Sequence, residues 1–115
     1  MGTFQAQPPD QIVFTAEDTL MTYKGFRFED SDESYLKNCI IEFGGGIDIL
    51  DSDLLVENCL IWKNDKSNST GVIDLFHSSP EIKNCDIRLN KGPAVLSSAT
   101  GASSPSIIGN TIYRN

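Results

Sequence analysis

The residues predict an all-β solenoid, in which short strands wind coil upon coil and each coil buries its apolar face only against its neighbours. Three observations carry this. One phrase is written four times, as Leu36-Lys37-Asn38-Cys39-Ile40-Ile41-Glu42-Phe43-Gly44, Val56-Glu57-Asn58-Cys59-Leu60-Ile61-Trp62-Lys63-Asn64, Ile82-Lys83-Asn84-Cys85-Asp86-Ile87-Arg88-Leu89-Asn90 and Ile107-Ile108-Gly109-Asn110-Thr111-Ile112-Tyr113-Arg114-Asn115, with starts 20, 26 and 25 residues apart. A short alternating strand follows a glycine ahead of each phrase. The bend inside the phrase falls at Asn38, Asn58, Asn84 and Gly109, residue types that tolerate left-handed backbone angles.

Each coil divides into three strands. The first is Gly25-Phe26-Arg27-Phe28, then Gly46-Ile47-Asp48-Ile49, then Gly71-Val72-Ile73-Asp74-Leu75, with a looser copy at Gly92-Pro93-Ala94-Val95-Leu96. Alternation points Phe26, Phe28, Ile47, Ile49, Ile73 and Leu75 inward and leaves Arg27, Asp48 and Asp74 outside. A polar turn leads to a second strand carrying Leu36, Val56, Ile82 and Ile107. After the Asn bend, a third strand puts Ile41, Ile61, Ile87 and Ile112 inside. Stacked Asn side chains at the bend are expected to pass hydrogen bonds from rung to rung. Leucine-rich repeats also carry an Asn/Cys position, but they need more leucines and a helix or turn on the convex side. Here the inward columns are Ile, Val and Phe, and no helix-length amphipathic segment intervenes, so the expectation is a single-stranded parallel β-helix. Ile12-Val13-Phe14 belongs to an earlier coil, giving four to five coils over residues 12–115. Residues 1–11, with Pro8 and Pro9, are expected to form an extension or irregular cap.

Charge and cysteine use narrow the function. The net charge is −7, with twelve acidic and three basic residues in 1–57 and four acidic and six basic residues in 58–115. Such a chain is repelled by phosphate backbones, which argues against nucleic acid as a partner. No apolar run approaches the about 20 residues of a membrane-spanning helix, and Met1 to Gln11 lacks the basic and apolar blocks of a secretion signal. Cys39, Cys59 and Cys85 share one column. Rungs about 4.8 Å apart allow the Cα separation of a disulfide, but stacked parallel Cβ vectors do not favour closing one. Free core thiols are expected.

The stretch Tyr23-Lys24-Gly25-Phe26-Arg27-Phe28, followed by Leu36 to Gly44, resembles right-handed parallel β-helix repeat proteins of the broad pectate-lyase-like group, and in particular secreted β-helix modules of bacterial surface proteins. In these a Trp-Gly-Ile-x-Phe strand precedes a Cys-x-Ile-Glu-Tyr-Gly strand; here Tyr23 and Lys24 stand where the Trp would precede Gly25. The resemblance covers residues 12–115. It implies a right-handed coil, an extracellular or cell-surface location and association with polysaccharide. It speaks to packing more than to chemistry.

Four sets of residues are candidates for chemistry. Asp30-Ser31-Asp32 and Asp51-Ser52-Asp53 fall at the same turn of neighbouring coils, and stacked carboxylates there invite a hard cation such as Ca²⁺ held by Asp30, Asp32, Asp51 and Asp53, or else splay into solvent. Asp48 and Asp74 face outward beside Arg27 on the first sheet. The resemblance marks that sheet as the sugar-binding face of polysaccharide lyases and hydrolases, whose acidic residues bind calcium or act as acids and bases, although the hydrolases' acidic pair and Gly-His-Gly segment are absent here. His77, the single histidine, aligns with Asp30 and Asp51 and titrates near neutrality when unperturbed; the neighbouring Ser78-Ser79-Pro80 recurs as Ser103-Ser104-Pro105 and reads as turn chemistry. Trp62, Arg88 and Tyr113 share an outward column on the third sheet above Glu42, forming either a cation–π stack or a platform for flat sugar rings. The Ser97 to Ser104 loop is the longest departure from the repeat.

The sequence therefore points to a non-catalytic extracellular β-helix module that binds glycan or serves a structural role. The alternatives are a fragment of a polysaccharide lyase or hydrolase with an acidic, calcium-binding face, and an adhesin stalk or spacer. Uncovered strand edges at the ends predict packing against further coils of a larger chain or end-to-end self-association.

Overall fold

The computed structural model describes residues 5–6, 11–16, 24–65, 71–97 and 103–115. Its strands fall into three parallel sheets. The first holds β3 (Phe26–Glu29), β6 (Ile47–Leu50), β9 (Ile73–Phe76) and β12 (Val95–Ser97). The second holds β1 (Gln5–Ala6), β4 (Tyr35–Lys37), β7 (Leu55–Glu57), β10 (Glu81–Lys83) and β13 (Ser106–Ile108). The third holds β2 (Ile12–Phe14), β5 (Cys39–Glu42), β8 (Leu60–Trp62), β11 (Asp86–Arg88) and β14 (Thr111–Tyr113). Successive strands change sheet and every third strand pairs, so β3 to β14 make four three-strand coils, with β1 and β2 contributing part of one before them. Gln5–Ala6 pairs with Tyr35–Leu36, so the segment before residue 12 adds a rung to the second sheet.

The register is that of the repeated phrase. Leu36 pairs with Val56 and Val56 with Ile82; Ile41 pairs with Ile61 and Ile61 with Ile87. These columns, with Phe28, Ile47, Ile49, Ile73 and Leu75, form one continuous buried core. Ile107 and Ile112 extend the same columns yet stay 45% and 43% exposed, because among the described residues no rung lies over them.

Three corners per coil follow one rule. At each corner a residue takes a left-handed backbone, and the next residue turns its side chain inward to hydrogen-bond the neighbouring coil, except Gly44 after Phe43, whose backbone N–H donates to Asn64 Oδ1. At the first corner the left-handed residues are Asp30, Asp51 and His77, with φ of 51°, 47° and 49°. The buried Ser31, Ser52 and Ser78 follow. Ser31 N–H donates to Ser52 Oγ at 2.8 Å, Ser52 N–H to Ser78 Oγ at 3.0 Å and Ser78 N–H to Ser103 Oγ at 3.0 Å. The Ser52 and Ser78 hydroxyls donate back to Leu50 and Phe76 carbonyls two residues earlier. At the second corner Asn38, Asn58, Asn84 and Gly109 are left-handed, as their residue types predict. Cys39, Cys59 and Cys85 follow, their Sγ atoms set against the carbonyls of Lys37, Glu57 and Lys83. Asn110 takes the thiol's place in the fourth coil, accepting from Cys85 N–H at 2.8 Å.

At the third corner the left-handed residues are Phe43, Lys63, Leu89 and Arg114, bulky types for which that conformation costs about 1–2 kcal/mol each. Buried amides offset it. Asn64 Nδ2 donates to Asn90 Oδ1 at 3.0 Å and to the Ile41 carbonyl; Asn90 Nδ2 donates to Asn115 Oδ1 at 2.9 Å and to the Ile61 carbonyl. The hydrogen-bonded amides are thus Asn64, Asn90 and Asn115. The expected chain at Asn38, Asn58 and Asn84 is not the one found: those residues stack, but among the described residues no hydrogen bond joins their side chains. A left-handed residue projects outward and its successor inward, so only the successor can bond across the interior.

The glycine column also differs from expectation. Gly25 and Gly46 precede their strands, but the third and fourth coils put Val72 and Ala94 in that place, as the bonds from Phe26, Ile47 and Ile73 N–H to Gly46, Val72 and Ala94 carbonyls show. At Gly46, with φ of 84°, a Cβ would lie 2.3 Å from the Val72 carbonyl oxygen. Backbone approach sets that glycine, and where the approach relaxes a side chain returns.

All three cysteines are buried thiols that form no disulfide, as the stacked Cβ geometry predicts. Hydrogen bonding with the Cys39 and Cys85 thiols, together with burial, pushes the Cys59 thiol above its ordinary pKa, while the same bonding lowers the other two. Because all three thiols are buried, a thiol-reactive chromophore is expected to leave the native protein unlabelled at pH 8 and to label three thiols once urea unfolds it. Asn90→Ala, which strips a buried acceptor from two Asn64 donors, is expected to lower unfolding free energy by about 3 kcal/mol. Asn58→Gly, at an exposed amide whose backbone glycine adopts readily, should stay within about 0.5 kcal/mol; urea titrations of the two variants check both values.

Candidate binding face

The outer face of the third sheet carries two parallel columns. Because alternation on β5, β8, β11 and β14 sends Ile41, Ile61, Ile87 and Ile112 toward the interior, Ile40, Leu60, Asp86 and Thr111 line one outer column. Glu42, Trp62, Arg88 and Tyr113 line the other, in direct register. Trp62 Nε1 donates to Glu42 Oε2 at 2.6 Å. The Arg88 guanidinium lies over the Trp62 ring at 5.3 Å, and its Nη1 donates to the Tyr113 hydroxyl at 2.9 Å. The Asp86 carboxylate stands 3.6 Å from the same nitrogen. The bond to Tyr113, and then the charge on Asp86, raise the Arg88 pKa above its ordinary value despite partial desolvation.

The structure thus brings Trp62, Arg88 and Tyr113 together as the sequence predicts, and adds two neighbours that sequence reading missed. Lys63 follows Trp62 at the left-handed corner, so its side chain folds back with Nζ 4.1 Å from the indole centroid and 5.7 Å from the Phe43 ring. Its signal was its alignment with Phe43, Leu89 and Arg114 at a corner of unknown hand. Asp86 stands in the adjoining outer column, two residues before Arg88. Its Oδ1 and the Arg88 Nε are both buried without a hydrogen-bond partner among the described residues.

The other candidates occupy different faces. His77 Nδ1 lies 3.4 Å from Asp51 Oδ1 at the exposed first corner. Beside that corner Asp53 N–H donates to Asp32 Oδ1 at 3.0 Å, Ser79 N–H to Asp53 Oδ1 at 2.7 Å and Ser104 N–H to Ser79 Oγ at 3.0 Å. The repeated Asp-Ser-Asp triplet therefore has a local reason: a left-handed residue, an inward hydroxyl and an outer acceptor for the next coil's backbone. Among the described residues no three His, Cys, Asp or Glu side chains gather around a common point. On the first sheet Arg27, Asp48 and Asp74 share one outward column, and Arg27 Nε lies 3.5 Å from the Glu29 carboxylate. Of the Ser97 to Ser104 loop, residues 98–102 lie outside the described residues, while Ser103 and Ser104 continue the corner bonds.

This geometry coincides with a known family. The family model of the right-handed β-helix region matches residues 12–115, and the chain belongs to that family. Comparison with curated proteins and with solved structures gives no match. Membership agrees with a structural or carbohydrate-related module, and among the described residues no helix is long and apolar enough to cross a membrane.

Asp53→Ala is expected to cost about 1 kcal/mol by orphaning the Ser79 amide, and Asp53→Asn less, because it keeps an oxygen acceptor. Urea melts with and without Ca²⁺ check this, and a penalty that appears only with Ca²⁺ would mark the triplets as a cation site.

Proposed function

We infer that the chain is a non-catalytic module of an extracellular surface protein that binds glycan on the outer face of its third sheet. The observation that carries this reading is the unbroken column Glu42–Trp62–Arg88–Tyr113, which sets aromatic surface and hydrogen-bond donors side by side over four rungs. An indole or phenol offers the apolar C–H face of a sugar a flat partner, while the flanking guanidinium and hydroxyl meet its oxygens. Lys63 covers the indole but is itself exposed, so a ligand displaces a solvated ammonium and not a buried group. Rigid strands hold the column, which keeps the entropic cost of binding low.

The test is a binding panel of soluble polysaccharides by affinity electrophoresis and calorimetry. Trp62→Ala is expected to weaken binding at least tenfold with an unchanged circular dichroism spectrum. Failure of every glycan to bind, or equal binding by Trp62→Ala, overturns the reading. New reducing or unsaturated ends appearing in the bound polysaccharide would overturn its non-catalytic part and turn attention to Asp48, Asp74 and Arg27.

A further inference from the structure

Beside the aromatic column, at the second corner, runs a groove of about 480 Å³ that spans four rungs and is lined by Asn38, Asn58, Asn84, Leu60, Asp86 and Thr111 among others. Resting on the glycan-binding reading above, we propose that this groove is the main subsite, and that it takes a neutral, hydroxyl-rich polysaccharide laid along the coil axis with about one sugar per rung.

Four observations support it. The corner itself does not require amides. Gly109 makes the same left-handed bend in the fourth coil without one, and the inward bonding at this corner is done by Cys39, Cys59, Cys85 and Asn110. The Asn58 and Asn84 amides are exposed, and among the described residues the side chains of Asn38, Asn58 and Asn84 make no hydrogen bond within the protein. Their donors and acceptors repeat at the rung spacing of about 4.8 Å.

Second, Asp86 lines the groove with a side chain 38% exposed, its carboxylate 3.6 Å from Arg88 Nη1. The exposed part of that carboxylate is free to accept a hydrogen bond from a ligand hydroxyl. Third, Gly109 keeps the groove open beside Asn84: a Cβ there would come within 2.7 Å of Asn84 Oδ1. Fourth, the half-buried Leu60 gives an apolar strip between the amides and the Trp62 column, where the C–H face of a ring can rest.

Charge selects the ligand class. Among the described residues no cation lines the groove and Asp86 is the one charged group, in a chain of net charge −7, so an anionic polymer meets repulsion. An extended peptide advances about 3.3 Å per residue and loses register with the amides after one rung. An extended 1,4-linked sugar chain advances by nearly one rung per ring.

The experiment is calorimetric titration of the intact chain with β-1,4-linked glucose, xylose and mannose hexamers, with a galacturonate hexamer and an extended hexapeptide as contrasts. The variants are Asn58→Gly/Asn84→Gly, which follows the precedent of Gly109 and preserves the backbone, and Asp86→Asn. Expected is binding of at least one neutral hexamer, weakened about tenfold in the double glycine variant, with the urea midpoint of that variant unchanged. A neutral hexamer bound equally by wild type and double variant, yet lost in Trp62→Ala, overturns the groove and leaves the glycan-binding reading standing. Binding of galacturonate alone overturns the neutral class in the same way. Binding of the peptide alone, or of nothing, overturns both.

Discussion

Every coil of this protein depends on closing a corner within a single residue. A chain that runs straight in one sheet must turn sharply to enter the next, and a left-handed backbone is the shortest way to do it. That conformation is unfavourable for any residue with a Cβ, yet ten non-glycine residues adopt it among those described. It persists because the following residue points inward and its polar group bonds the next coil: Ser31 to Ser52 to Ser78, and Asn64 to Asn90 to Asn115. Local strain at the corner and hydrogen bonding between coils are therefore two halves of one device. Neither half is stable alone, which is why a single coil of this kind has no independent fold.

The device also sets the register, and the register builds the outer faces. Once serine, thiol and amide columns align, the β-branched core residues must stack on their own kind, as Val56 does on Ile82 and Ile61 on Ile87. Outward positions then form columns with no packing duty. The three outer faces spend that freedom differently. The second sheet carries alternating charge, with Lys83 Nζ 3.6 Å from Glu57 and 2.8 Å from Glu81. The first sheet carries Arg27, Asp48 and Asp74. The third gathers rings, cations and amides, a mixture that ion pairing alone does not require. That contrast is what supports the binding surface proposed on the third sheet and its adjoining corner.

Much of the architecture was legible in the residues. The four copies of the phrase determined the three strands, the inward Ile, Val and Leu columns, the free thiols and the left-handed Asn bend, because each rests on local chemistry repeated at fixed spacing. The column of Trp62, Arg88 and Tyr113 followed from the same register. What local chemistry left open was the direction of each corner side chain. Asn58 and Asn64 are the same residue type six positions apart, yet the first faces solvent and the second bridges coils. Asp30-Ser31-Asp32 was read as paired carboxylates, while the middle serine carries the buried bond. Lys63 folding over Trp62 and the buried oxygen of Asp86 needed the third dimension altogether. The sequence by itself determined which residues recur and which strand columns face the core; only the tertiary structure decided which corner side chains point inward, because the left-handed backbone at residues such as Phe43, Lys63 and Leu89 emerges from packing one coil upon another and is not a property of those residues alone.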